Sequence, residues 1–170
     1  NFLKIQKKLE NIWIELEFPP DTQSFFLSHE DFRKQYSKPP IMEYFYRFIR
    51  KRQNILIDDN GNPEGWQWNY DKENRKFDKN HKKSWSFTLE KNTFVAEAED
   101  FYTSQLPSYI PTNRVEALKL LEYFLKYHLD SFGQLEDAMY EGDNYVHHSL
   151  LSASINFWFL SPWEVLERAL

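Results

Sequence analysis

The second half of the chain repeats apolar residues at helical spacing. In "PTNRVEALKLLEYFLKYHLDSFG", Val115, Leu118, Leu121, Leu125 and Leu129 recur three or four places apart, which predicts a long amphipathic helix. Asn113 stands at its N-cap, Glu116 at the third helical position, and Gly133 is the expected C-cap. "IMEYFYRFIRKR" predicts another helix, with Ile41, Tyr44, Phe45, Phe48 and Ile49 as its apolar stripe and Arg47, Arg50, Lys51 and Arg52 as a basic flank. Shorter helices are expected over "TLEKNTFVAEAEDFY" from Thr88 and over "QLEDAMYEG", which Gly142 ends. "SHEDFRKQY" and "SPWEVLERAL" both open on a serine N-cap, Ser28 and Ser161, with an acidic residue three places on. Pro162 adds proline at its preferred first-turn position.

The beginning of the chain and one long middle stretch read otherwise. "IWIELEF", Ile12 to Phe18, has strand-like alternation that Pro19 and Pro20 stop, and "SFFLS" predicts a second short strand. From Asp58, "DDNGNPEGWQWNYDKENRKFDKNHKK" is polar and turn-rich, a connection of about 25 residues where 12 to 15 is already long. The expected fold class is α+β but mainly α: the end of an α/β domain over 1–57, a linker over 58–87, and the first helices of an all-α domain over 88–170. A start at Asn1 and an uncapped helix at Leu170 mark the chain, on this reading, as a fragment of a longer protein.

Composition narrows the chemistry. The 170 residues include no cysteine, so neither a disulfide nor a thiolate metal site is available within them. Aromatic residues make up 18% of the chain, enough for a large core or for flat surfaces that a planar ligand or a base could meet. A net charge of -5 gives no global basic field. No apolar run reaches the ~20 residues of a membrane span and no signal-peptide pattern is present, so the expected compartment is the cytoplasm.

Four constellations could carry chemistry. The "DDNGNPEG" stretch spaces oxygen ligands like the start of a calcium loop, yet Pro63 and Asn69 occupy the positions that need glycine and glutamate, so a plain turn is expected. His147 and His148 are adjacent and diverge on a helix, which favours hydrogen bonding to a neighbouring segment over a shared metal. No metal ligands are assigned. Trp66, Trp68 and Tyr70, followed by Lys72, Arg75, Lys76, Lys79, Lys82 and Lys83, interleave aromatics with cations as nucleic-acid contacts do. The competing expectation is that the tryptophans pin the linker to the domain. Last, "HHSLLSASINFWFLSPWEV" puts Ser149, Ser152 and Asn156 on one face of a helix expected to begin near His148. Such a stripe is either a packing seam or, with the free N–H groups of a helix start, a cradle for a diphosphate.

That last stretch resembles the flavin-phosphate segment of the photolyase and cryptochrome family, T-S-x-L-S followed by L-S-P-x-x-V. Here it reads His148-Ser149-Leu150-Leu151-Ser152, then Leu160-Ser161-Pro162 and Val165. His148 in place of threonine, together with "FLSHEDFR", "MEYFYR", "GWQWNYDKENRK" and "FGQLEDAM", is similar to the bacterial deoxyribodipyrimidine photolyase-related branch that carries an iron–sulfur cluster. The resemblance runs from Phe26 to Val165. It implies an N-terminal α/β antenna domain, a helical FAD domain, and light-driven repair of pyrimidine dimers or (6-4) photoproducts in UV-damaged DNA. Carried over to these positions, it implies that His148, Ser149, Leu150, Leu151 and Ser152 line the FAD diphosphate, and that Arg75, Lys76 and Trp68 contact DNA. The antenna chromophore and a 4Fe–4S cluster are expected in the whole protein, the cluster's ligands and the catalytic residues lying outside this chain. Leu150 departs from the family where many members have a basic residue. A cryptochrome-like photoreceptor without repair activity and a non-catalytic helical interaction module are the alternatives.

Overall fold

The computed structural model of the chain describes residues 26–76, 85–102, 107–143 and 145–170. Two compact units divide the chain, 1–40 and 41–170. In the described part of the first lies α1 (His29–Gln35), and the Ser28 hydroxyl accepts the Asp31 N–H at 3.0 Å as the cap pattern requires. Phe26 to Ser28 are irregular and lead into that cap, so the strand expected over "SFFLS" is not formed at these residues. The strand expected at Ile12 to Phe18 lies outside the described residues.

The second unit is helical. It holds α2 (Met42–Gln53), α3 (Thr93–Tyr102), α4 (Arg114–Tyr127), α5 (Leu129–Leu135), α6 (Ser152–Asn156) and α7 (Pro162–Ala169). Among the described residues no strand occurs, only isolated antiparallel bridges at Ile57–Pro63 and Tyr140–Asp143. The fold is mainly α. α3 begins at Thr93 rather than Thr88 because the Asn92 side chain accepts the Val95 N–H at 3.1 Å and caps it there.

α2 ends where Asn54 turns left-handed at φ 53°, a conformation asparagine tolerates. The chain then folds back on α2 through Arg50, a buried cation. Its guanidinium donates to the carbonyls of Ile55 (3.1 Å), Leu56 (2.6 Å) and Trp68 (3.3 Å) and to the Tyr46 hydroxyl (3.3 Å). The charge is thus satisfied by aligned carbonyl dipoles. Farther on, the Asp58 carboxylate accepts the N–H groups of Asn60 (2.9 Å) and Asn62 (2.8 Å), a turn closed by Gly61 at φ 78°.

The core forms around α4. Ala117, Leu120, Leu121 and Phe124 are buried together with Leu151 and Leu160, and Phe132, Ile155 and Val165 pack against them. This corrects the expected stripe: Leu121 belongs to the core, Leu118, Leu125 and Leu129 flank it, and Val115 is 64% exposed. The expected single helix is also broken at His128, whose ring turns into the core, so Gly133 lies inside α5. "QLEDAMYEG" is not a helix beyond Leu135; its second half is a turn with Gly142 at φ 81°. The caps hold as expected, with Asn113 accepting from Glu116 N–H and Ser161 from Glu164 N–H. Burial raises the Glu116 carboxyl, but the Thr112 N–H and hydroxyl bonded to it outweigh that and hold it below the usual range. At the other face, Arg114 grips Glu164 through both guanidinium nitrogens, at 2.9 and 2.7 Å, and donates to the Phe159 carbonyl at 2.6 Å. That fork ties the start of α7 to the start of α4, and the Arg114 hydrogen bonds hold the Glu164 carboxyl below the usual range.

Candidate functional site

The polar segment singled out in the sequence sits at the edge of this core. It is not continuous helix. Leu150 adopts φ 56°, a left-handed value, and α6 starts only at Ser152. Ser149 therefore precedes the helix, and the expected single face of Ser149, Ser152 and Asn156 does not form. Instead the Ser149 hydroxyl lies 3.5 Å from the Leu151 N–H, and Ser152 is exposed at the first position of α6. Leu151 points into the core at 3% exposure, so only its backbone can face a ligand. His148 and Leu150 are half-buried, and Leu150 borders a cleft of about 300 Å³ walled by Trp85, Phe87, Tyr109 and Tyr145. Burial pushes the Tyr109 phenol up, and Tyr145 beside it adds to the effect.

Beneath the segment lies a group of residues that sequence reasoning missed. His128, 1% exposed, stacks flat on Trp85 with centroids 4.3 Å apart and an interplanar angle of 5°. Its Nδ1 lies 3.1 Å from Nδ1 of His147, one ring donating and the other accepting. The buried Asp143 carboxylate accepts the N–H groups of Tyr145 and Val146, each at 3.1 Å. Nothing in the spacing of His128 and His147 signals this contact, because the helix break that aims His128 inward contains neither glycine nor proline. His147 does bond to a neighbouring segment, as its adjacency to His148 suggested.

Burial, reinforced by His147 and opposed by Asp143, lowers His128 from 6.5 to about 4. The unfolded chain therefore binds a proton on this residue below about pH 6.5, and the folded chain only below about pH 4. Stability from this group is complete above pH 6.5 and is lost as pH falls toward 4, by roughly 2–3 kcal/mol. Denaturant midpoints at pH 7 and pH 4.5 measure it. The acid loss should be smaller in His128→Phe, which removes this titration while the carboxylates keep theirs.

The candidate nucleic-acid residues lie elsewhere. Trp68 is half-buried beneath Arg47, Arg50 and Lys51, whose charged groups sit 5.4, 5.4 and 5.2 Å from its ring. It pins the linker to α2, whereas Trp66 is 96% exposed. Glu43 takes hydrogen bonds from Arg47 and Asn69, which hold its carboxyl below the usual range. Arg75 is exposed and pairs with Asp137 at 3.2 Å, and Asn74 donates to the same carboxylate at 3.0 Å. The Lys76 N–H donates to the Gln134 carbonyl and the Tyr140 hydroxyl to the Lys76 carbonyl, so the backbone here is tied to the end of α5 while both cationic heads face solvent. Trp68 borders a second cleft of about 620 Å³, distinct from the one at Leu150.

Comparison with known proteins decides the lineage. Residues 2–118 match the family described as deoxyribodipyrimidine photo-lyase-related protein. The chain belongs to that family. It is also 32% identical over 156 residues to a (6-4) photolyase of Agrobacterium fabrum, covering 85% of this chain and 31% of the relative. The chain thus spans about a third of that curated photolyase.

The cofactors that this family implies can be weighed against the residues present. No acidic side chain stands between Asp143 and Glu164, and the segment offers the Ser149 and Ser152 hydroxyls beside the N–H groups that open α6. An uncharged donor set free of carboxylates fits the diphosphate of FAD. A 4Fe–4S cluster does not fit here, since its thiolate ligands require cysteine and the chain has none. Among the described residues no helix is long and apolar enough to cross a membrane.

Proposed function

We propose that the chain is a fragment of a light-driven DNA-repair flavoprotein acting on UV-damaged DNA, with the (6-4) photoproduct as the favoured lesion. The observation that carries this reading is family membership together with the 32% identity to a (6-4) photolyase. In it, residues 1–57 close an α/β antenna domain, 58–87 connect, and 88–170 open the FAD domain. FAD, when bound, supplies light-driven electron transfer to a lesion flipped out of the duplex. His148, Ser149, Leu150, Leu151 and Ser152 hold its diphosphate, the serines by their hydroxyls and Leu151 by anchoring the backbone from the core. Arg75 and Lys76 neutralise DNA phosphates, which costs Arg75 only an exposed ion pair. Trp68 keeps the start of the linker on α2. The antenna chromophore and the iron–sulfur cluster belong to the whole protein, with the cluster's cysteines supplied from outside this chain.

The test is a repair assay on the full-length protein, reduced and illuminated, with an oligonucleotide carrying one (6-4) photoproduct. Restored pyrimidines in the light and none in the dark are expected. A flavin-loaded protein that binds the lesion no better than intact DNA and repairs neither a (6-4) photoproduct nor a cyclobutane dimer would instead be a photoreceptor.

A further inference from the structure

Three side chains, those of Asp143, His147 and Leu151, anchor the described backbone from Tyr145 to Leu151. Asp143, 7% exposed, takes both the Tyr145 and Val146 N–H groups on one carboxylate oxygen. His147 meets His128 at 3.1 Å, and Leu151 is sealed into the core with Leu120, Leu121 and Phe124. Residues 148–150 lie between the last two anchors, with the His148 N–H bonded to the Tyr145 carbonyl at 2.8 Å. Within this stretch Val146 sits at φ 44° and Leu150 at φ 56°. Side chains branched or bulky at such angles persist only where the surroundings over-determine the backbone.

His128 is suited to act as the fixed post. It occupies the break between α4 and α5, its N–H bonded to the Phe124 carbonyl at 2.9 Å and its own carbonyl accepting the Ser131 N–H at 3.1 Å. Trp85 covers one face of the ring and Tyr123 lies tilted against it. Its Nε2 is buried and bonded to no described residue, so the Nδ1 contact with His147 is the one polar link the ring makes among the described residues.

We propose that His128 and Asp143 are positioning residues for cofactor binding: they preset the loop from Tyr145 to Leu151 so that Ser149 meets the FAD diphosphate. The inference rests on the diphosphate reading of residues 148–152. Neither residue touches the cofactor. His128 acts through His147, and Asp143 through the two N–H groups that set Val146.

The experiment titrates FAD into the deflavinated full-length protein and records the thermal midpoint of each apoprotein. His128→Phe keeps the ring and its stacking on Trp85 but loses Nδ1, and should weaken FAD binding about tenfold, the effect of losing one buried hydrogen bond. His128→Asn places an amide near the former Nδ1 and should recover most of that affinity, even though it stacks less well and melts lower. Asp143→Ala should weaken binding similarly, while Asp143→Asn, which keeps the acceptor oxygen, should not. A purely structural role predicts the opposite order, with affinity following the thermal midpoint and no rescue by asparagine; that result overturns the proposal. Wild-type affinity in both His128→Phe and Asp143→Ala overturns it too while leaving the diphosphate reading intact. A wild-type protein that takes up no FAD removes that reading, and the inference with it. Should His128→Phe not fold, the Asp143 pair gives the same decision.

Discussion

The double variant Ser149→Leu, Ser152→Leu of the full-length protein should lose its flavin while keeping its far-UV helicity. Both hydroxyls lie on the core's edge, Ser149 half-buried and Ser152 exposed, so neither substitution opens a cavity. Each replaces a small donor by a bulky apolar side chain where a dianionic group would sit. Desolvating a phosphate oxygen without a donor costs several kcal/mol, and two such losses should weaken FAD binding by several orders of magnitude. The measurement is the ratio of flavin to protein absorbance after purification, alongside circular dichroism. Wild-type stoichiometry in the double variant would mean that the diphosphate lies elsewhere.

The largest stability effect is expected at Leu120. Its side chain is fully buried between α4 and the segment carrying Leu151 and Leu160. Leu120→Ala removes three carbons from a site closed on all sides, and should cost about 3 kcal/mol from lost transfer energy plus the remaining cavity. Val115→Ala, on the same helix but 64% exposed, should cost less than about 0.5 kcal/mol. Urea midpoints at unchanged slope separate the two. Equal costs would mean that α4 is rotated from the orientation described.

That comparison also shows what the sequence could and could not reveal. The caps at Ser28, Asn113 and Ser161 were legible because each is a local pattern of one acceptor and one N–H three residues on. The face of α4 was not. With Val115 included, Ala117, Leu118, Leu120, Leu121, Phe124 and Leu125 make this helix apolar over more than half its circumference, so periodicity alone allowed a stripe through Val115. Only packing against Leu151 and Leu160 selects the Leu120 side. The helix break at His128 is invisible in the sequence for a similar reason: the interruption is made by a side chain drawn into the core, and no proline or glycine announces it.

The candidate site was legible in composition but not in shape. Extending helical geometry back through Leu150 put Ser149, Ser152 and Asn156 on one face, whereas the left-handed turn at Leu150 separates Ser149 from the helix. A leucine gives no warning of such a turn, as a glycine would. Likewise nothing in the basic run points to the partner of Arg75, since Asp137 lies 62 residues away in the chain. Trp66 and Trp68, read as a pair, have different environments: one ring is covered by three cations and the other is bare.

The most direct test of the account is the visible spectrum of the purified full-length protein. A flavin band near ~450 nm, accounted for by FAD released on denaturation, is the predicted result and makes the segment from His148 to Ser152 part of a working cofactor site. A colourless protein that stays colourless after incubation with FAD would contradict it. The serines would then line a packing seam, and the kinship with photolyases would describe ancestry rather than activity.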